Sequence, residues 1–354
     1  VSAFKIHNTI TMRGVVNQLL VLLFLFALSP LSLKSQDIHF SHIHASPTML
    51  NPGMTGLFNG KMRFIGNARG QWNSVTNGYR SFGGSLDARL HQFSSKDIIA
   101  GGLHVVSDKA GDLDFTTTNV GASISVLKSL GEHSFSLGMQ SGVISNRVDY
   151  SKIVAFDVEP AVLAGAPDKV TYLDVNVGLA WFYNFDRFSN IYGGAALYHL
   201  NSPDVSFYKD NDIDESLLLK RRMVIHGGAE IEVNRRSMIK PSFLIMNQKP
   251  HREITLGSFW KYKSVRNGGR KSVSSIYLGG WLRWSMAQDY LATDAIIAAL
   301  RFDYKKTFVS LTYDVNISTL TRASSGAGGP EFSVIHIIDD WGSRRPTKVR
   351  CPDF

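Results

Sequence analysis

The segment AIIAALRFDY (Ala295–Tyr304), the dipeptide Lys305-Lys306 and the segment TFVSLTYDV (Thr307–Val315) decide the fold. In the first run Leu300, Phe302 and Tyr304 alternate with Arg301 and Asp303. In the second, Val309, Leu311, Tyr313 and Val315 alternate with Ser310, Thr312 and Asp314. A period of two means strands with one apolar and one polar face. Lys305-Lys306 leaves room only for a tight turn. A long Ser/Gly/Thr-rich loop follows, from Asn316 to Gly329, before a last strand over Glu331–Ile338. A tight turn at one end and a long loop at the other is the rhythm of an outer-membrane barrel.

That rhythm extends back through the chain. Phe82, Leu86, Ala88 and Leu90 oppose Ser81, Ser85, Asp87 and Arg89. Val120, Ala122, Ile124 and Val126 oppose Asn119, Gly121, Ser123 and Ser125. Leu173, Val175, Val177, Leu179 and Trp181 oppose Asp174, Asn176, Gly178 and Ala180. Similar patterns recur to the C-terminal region and predict an all-β transmembrane antiparallel barrel of about fourteen strands. The long inserts all follow odd-numbered strands, which puts both ends of the barrel on the periplasmic side. A soluble two-sheet β protein would also alternate. Strands of about ten residues with aromatic ends fit a tilted membrane strand better.

Composition agrees with a membrane wall that is half apolar. The 354 residues are 44% hydrophobic, with mean hydropathy near zero, and include 6 Trp, 12 Tyr and 21 Phe for interfacial girdles. The single cysteine, Cys351, excludes an internal disulfide framework. Residues 1–35 read as a cleaved signal peptide, with Arg13 before an apolar core at Leu19–Leu28 and small Ser35 before Gln36. Residues 36–60, with Pro47, Asn51-Pro52-Gly53 and Gly56, read as a periplasmic lead-in or plug. The barrel is expected over 61–339 and a periplasmic tail over 340–354.

No catalytic constellation is present: there is no nucleophile elbow, Walker loop or zinc-protease helix. His39, His42 and His44 do not have the spacing of a closed metal site. Asp210-x-Asp212-x-Asp214 lacks the glycine and distal glutamate of a calcium loop. We therefore expect no enzyme activity, metal or cofactor, and no nucleic-acid partner. The inward Asp87, Arg89, Asp174, Asn176, Arg222, Glu230, Arg283, Arg301 and Asp303 read as a lumen network of paired charges and water.

Two stretches resemble the PorP/SprF family. Gln36-Asp37-Ile38-His39-Phe40-Ser41-His42 followed by Leu50-Asn51-Pro52-Gly53-Met54-Thr55-Gly56 is similar to its mature start, with Gly53 where the family usually has Ala. Asp294-Ala295-Ile296, Tyr313-Asp314-Val315-Asn316-Ile317-Ser318 and the tail Cys351-Pro352-x-Phe354 are similar to its late segments. The resemblance implies an outer-membrane protein of the Bacteroidetes type IX secretion and gliding machinery. It also implies partners: outer-membrane lipid, a periplasmic lipoprotein ring or peptidoglycan-binding protein, and a secreted adhesin. A passive or substrate-specific porin is the alternative function.

Basic residues concentrate where strand parity places the periplasmic turns. Arg235, Arg236, Lys261, Lys263, Lys305 and Lys306 are expected there with Arg266, Arg270 and Lys271, and Trp341, Arg344, Arg345, Lys348, Arg350 and Phe354 in the tail. Such a patch would steer an acidic partner, with aromatic and Arg anchors. The inserts over 147–170 and 201–219, carrying Asp157 and Asp212, are expected outside for cargo contact.

Overall fold

The computed structural model describes residues 40–41, 43–71, 78–93, 97–152, 167–186, 188–208, 217–265, 272–287, 290–318, 328–339 and 351. Fourteen antiparallel strands close into a barrel. They are β1 (Met62–Gln71), β2 (Tyr79–Gln92), β3 (Ile98–Ala110), β4 (Phe115–Leu130), β5 (His133–Arg147), β6 (Lys169–Asn184) and β7 (Asn190–Tyr198), then β8 (Arg222–Glu232), β9 (Ser237–Gln248), β10 (His251–Val265), β11 (Ser272–Ala287), β12 (Tyr290–Tyr304), β13 (Thr307–Asn316) and β14 (Gly329–Ile338). Closure is made by β1 against β14, in register from Met62↔Ile338 to Arg69↔Glu331. A closed ladder leaves no strand edge unpaired, which lipid requires. No helix among the described residues is long and apolar enough to cross a membrane, so crossing falls to the strands.

The wall is apolar outside and mixed inside. Phe82, Leu103, Val120, Leu137, Leu173, Ile239, Leu256, Leu278, Leu300, Leu311 and Phe332 are exposed, while Asp87, Gln140, Asp174, Lys240, Arg301 and Glu331 are buried in strands that carry them. This inversion of a soluble protein is what a lipid-embedded barrel demands. Several strands run further than the apolar alternation predicts: β12 begins at Tyr290 and β4 continues to Leu130. Past the hydrocarbon, hydrogen bonding continues but neither face needs to be apolar. Pro241 lies inside β9, where β8–β9 pairing passes from Gly228↔Ser242 to Ile231↔Ile239. Proline cannot donate to the ladder, and the pairing is interrupted there while the register stays the same on both sides.

The barrel has two unlike ends. Gly131-Glu132, residues 185–189, residues 233–236 and Lys305-Lys306 connect strands at one end, the short-turn end. Residues 148–168, 199–221 and 317–328 connect strands at the other, the long-loop end. β1 starts and β14 finishes at the short-turn end. Inside, Phe259 makes edge contacts with Tyr277 and Trp281 at centroid distances of 5.7 and 4.7 Å. These rings join Val224, Leu244 and Ile297 in an inward apolar cluster, so the lumen is more than the charge-and-water network expected.

Candidate functional site: a plugged lumen and two rims

Residues 40–41 and 43–58 run inside the barrel. They form a 3-10 turn at Ile43–Ala45, a one-turn helix, α1 (Pro47–Leu50), and a second 3-10 turn at Pro52–Met54. Segments this short cannot satisfy their own backbone groups, so the wall does it. Asn67 donates to the Ala45 carbonyl at 3.2 Å and to Ser46 Oγ at 2.8 Å. Tyr198 OH donates to the Met49 carbonyl at 2.7 Å, and Ser125 Oγ to the Thr55 carbonyl at 2.7 Å. Gly56 N–H donates to Asp87 Oδ2 at 2.7 Å. Arg89 donates to the carbonyls of Gly56 and Phe58.

The centre of this plug is Asn51-Pro52-Gly53. Asn51 is fully buried. Its Oδ1 accepts the Gly53 N–H at 2.8 Å, capping the second 3-10 turn, and its Nδ2 donates to the Leu179 carbonyl at 2.9 Å and lies 3.0 Å from His226 Nε2. The wall makes room with glycine. Gly138 pairs with Gly178 across β5–β6. A Cβ at Gly178 would stand 1.9 Å from Asn51 Oδ1, and one at Gly138 would stand 2.2 Å from the Pro52 carbonyl oxygen. A Cβ at Gly194 on β7 would stand 2.6 Å from Asn51 Nδ2. Gly53 itself comes close: a Cβ there would lie 2.9 Å from the Gly178 carbonyl oxygen. Glycine at position 53 therefore permits a tighter approach to β6 than alanine would.

Charges in the lumen are paired. Arg63 binds both oxygens of Asp87 at 3.0 and 2.8 Å. Lys240 pairs with Glu230 at 2.6 Å, His199 Nδ1 lies 2.7 Å from Asp174, and Arg301 pairs with Asp303 at 2.7 Å. Arg69 and Arg283 converge on Asp314 Oδ2 at 3.0 and 2.9 Å. Among the described residues no group of His, Cys, Asp and Glu is arranged to hold a metal ion. His44 sits 3.3 Å from Ser242 Oγ; His39 and His42 lie outside the described residues.

The basic residues fall in three places. Arg235 and Arg236 are exposed in the turn after β8. Lys305 and Lys306 form the turn after β12, where Lys305 Nζ lies 5.3 Å from the Tyr304 ring and Lys306 binds Asp339 at 2.9 Å and the Asn59 carbonyl at 3.0 Å. The two turns are four strands apart, about 19 Å along the wall at the usual strand spacing. Lys261 is not at the rim: it is buried, with Nζ 4.8 Å over the Tyr277 ring. Lys263 is largely buried and paired with Glu232 at 3.2 Å. Both belong to β10, which extends past the expected turn. Trp341, Arg344, Arg345 and Phe354 lie outside the described residues, as do Asp157 and Asp212. Cys351 is buried with Met54 and Leu57, and exchanges two hydrogen bonds with Asn59, at 2.9 and 3.2 Å.

At the long-loop end Asp114 joins the β3–β4 turn to the start of the next loop. It binds Lys109 at 2.8 Å and also Lys152, and these hydrogen bonds hold its carboxyl below the ordinary range. Asp149 N–H donates to the Leu113 carbonyl at 3.0 Å beside it.

A closed fourteen-stranded wall, apolar outside and filled inside by its own N-terminal segment, defines a plugged membrane barrel. The model of the type IX secretion system membrane protein PorP/SprF family matches residues 32–328, and the chain belongs to that family. It is an outer-membrane β-barrel of a type IX secretion system. Family and fold are those of a membrane secretion component or channel and not of a known enzyme class. No curated protein matches significantly. Similar solved structures include the CymD monoaromatic hydrocarbon channel, 12% identical with TM-score 0.46 over 84% of this chain and 94% of that one. The Pseudomonas putida toluene transporter TodX is 10% identical, with TM-score 0.44 over 85% and 94%. The Ralstonia pickettii toluene transporter TbuX is 10% identical, with TM-score 0.44 over 82% and 91%.

Proposed function

We propose that this barrel supports the export or surface attachment of large adhesins by binding partners at its two rims, with the lumen closed. The observation that carries the reading is the plug: its backbone is bound by β1, β2, β4 and β7, and its side chains add contacts to β6, β8 and β9. A porin reading would need this segment to leave. Short turns face the periplasm in outer-membrane barrels. On that basis the short-turn end meets a periplasmic lipoprotein or peptidoglycan-linked component. Arg235, Arg236, Lys305 and Lys306 steer it, and Trp341, Arg344, Arg345 and Phe354 of the tail anchor it. The long loops, including Asp157 and Asp212, meet the exported chain outside.

Reversing charge at Arg235, Arg236 and Lys305 should leave the barrel assembled. Lys306 is omitted because its reversal would also release Asn59 and Asp339. Co-purification of the periplasmic partner in mild detergent is expected to fall about ten-fold at low salt and less at high salt, where screening already weakens steering. Unchanged recovery from an assembled triple variant, together with unchanged recovery after removal of residues 341–354, would dismiss the periplasmic docking role.

A further inference from the structure

The plug runs from one mouth of the barrel to the other. Ser41 N–H donates to Glu331 Oε2 at 2.8 Å, near the start of β14 at the long-loop end. Lys61 N–H donates to the Ile338 carbonyl at 2.8 Å, where β14 finishes at the short-turn end. The lower plug therefore leaves the lumen at the short-turn mouth, where it continues into β1. Cys351 is buried at the same mouth, in an apolar cluster with Met54, Leu57, Ile98 and Leu127. Ile98 opens β3 and pairs with Leu127 near the end of β4, which puts this cluster at the short-turn end. Backbone as well as side chain makes the contact. Asn59 Nδ2 donates to the Cys351 carbonyl at 2.9 Å, and the Cys351 N–H donates to Asn59 Oδ1 at 3.2 Å. The Asn59 amide thus exchanges with one residue the pair of bonds that a neighbouring strand would exchange. Cys351 Sγ accepts from Arg89 Nη2 at 3.4 Å.

We propose that this seat is a latch: the chain's own C-terminal segment, held through Cys351, closes the short-turn mouth beneath the plug, and the plug loosens when that segment leaves. The groups that seat Cys351 also form the lower plug or hold it. Met54 and Leu57 are plug residues. Asn59 follows them, and its own carbonyl accepts from Lys306 Nζ at 3.0 Å. Arg89 donates to the carbonyls of Gly56 and Phe58 as well as to Cys351 Sγ. Loss of Cys351 uncovers Met54 and Leu57 and frees the Asn59 amide, while the fourteen-strand ladder closes without it. The plug is tied to β1 at this mouth, so a plug that swings out leaves through it, and Cys351 stands in the way. The contacts also define the ligand. One peptide residue is read through its N–H and C=O, and its side chain must be small and apolar, as cysteine is. Resting on the docking role given above, a periplasmic partner that takes hold of the tail competes with this seat, and the plug and the partner then bias each other reciprocally.

The latch is tested on the purified barrel without any partner, so its failure is separate from failure of the docking role. Cys351 is the one cysteine of the chain, and its labelling by a small maleimide reads the seat directly. Asn59→Leu keeps the side-chain volume and removes both hydrogen bonds. Labelling of Cys351 is expected to accelerate about ten-fold, in line with the loss of two bonds between neutral groups. The plug is read by Thr55→Cys in a Cys351→Ala chain, where alanine keeps the backbone bonds to Asn59. Removing residues 340–354 from that chain should accelerate labelling at position 55 about five-fold or more, the lower end of a usual coupling between two sites. Coupling is reciprocal, so Gly178→Leu, which crowds Asn51 and Pro52 from the wall, should accelerate labelling of Cys351. Heat-modifiable gel migration confirms assembly of each variant. Labelling of Cys351 in the unaltered barrel as fast as in the unfolded chain would show that the seat is empty. Unchanged labelling at position 55 after removal of the tail would show that the seat does not hold the plug. Either result overturns the latch.

Discussion

Asp87→Ala is expected to destabilise the assembled barrel by about 3–5 kcal/mol, the cost of leaving one partner of a buried ion pair without the other. Asp87 and Arg63 are essentially inaccessible to solvent. The carboxylate accepts two bonds from Arg63 and the Gly56 N–H. Arg63 in turn donates to the Met54 and Leu57 carbonyls at 3.3 and 3.5 Å and lies 4.8 Å over the Phe58 ring. One truncation therefore strands a buried guanidinium and frees the lower plug. The urea midpoint of the heat-modifiable form measures the loss. A double change, Arg63→Met with Asp87→Leu, should recover much of it, because an apolar pair of similar volume carries no desolvated charge. A loss under about 1 kcal/mol for Asp87→Ala would show that the pair is not a structural anchor.

Gly178→Leu should unseat the plug while sparing the wall. Gly178 pairs with Gly138 on one side and Ala196 on the other, and leucine can keep those backbone hydrogen bonds. Its side chain would occupy the volume of Asn51 and Pro52. Overpacking of this kind typically costs about 1–3 kcal/mol. Here the plug can yield where the barrel cannot, and Asn51 would then lose its bonds to Leu179 and His226. The readout is a cysteine at Thr55, which is 1% exposed in the native lumen. Its labelling by a small maleimide is expected to accelerate about five-fold or more, the least that 1 kcal/mol of relative destabilisation implies. Unchanged labelling in a folded variant would mean that the glycine stripe does not hold the plug.

What could be read from the sequence follows from what each residue had to satisfy. Leu300, Phe302, Leu311 and Tyr313 face lipid, so their alternation with Arg301, Asp303, Ser310 and Thr312 is strict and visible. The turn residues of the plug were visible too, in Pro47 and Asn51-Pro52-Gly53. Its seat was not, because Gly138, Gly178 and Gly194 come from three strands and acquire meaning only when those strands pair. Lys261 looked like a turn residue because the wall inside a barrel tolerates charge; the Tyr277 ring that receives it is sixteen positions away in sequence. Phe259, Trp281 and Ile297 face inward and break the expectation of a polar lumen. They pack where a chain segment, and not water alone, fills the interior. The direction of the plug is set by Ser41 reaching Asp314 and Glu331, more than 270 residues later, which no local pattern announces.

A barrel that works closed does not conduct ions. Purified full-length protein in planar bilayers measures this directly, beside a variant lacking residues 40–58. With the plug bound by the wall, the full-length chain is predicted to show no steady ionic conductance, and the plug-less variant to open in discrete steps. Steady conductance by the full-length chain equal to that of the plug-less variant would contradict the closed-scaffold reading.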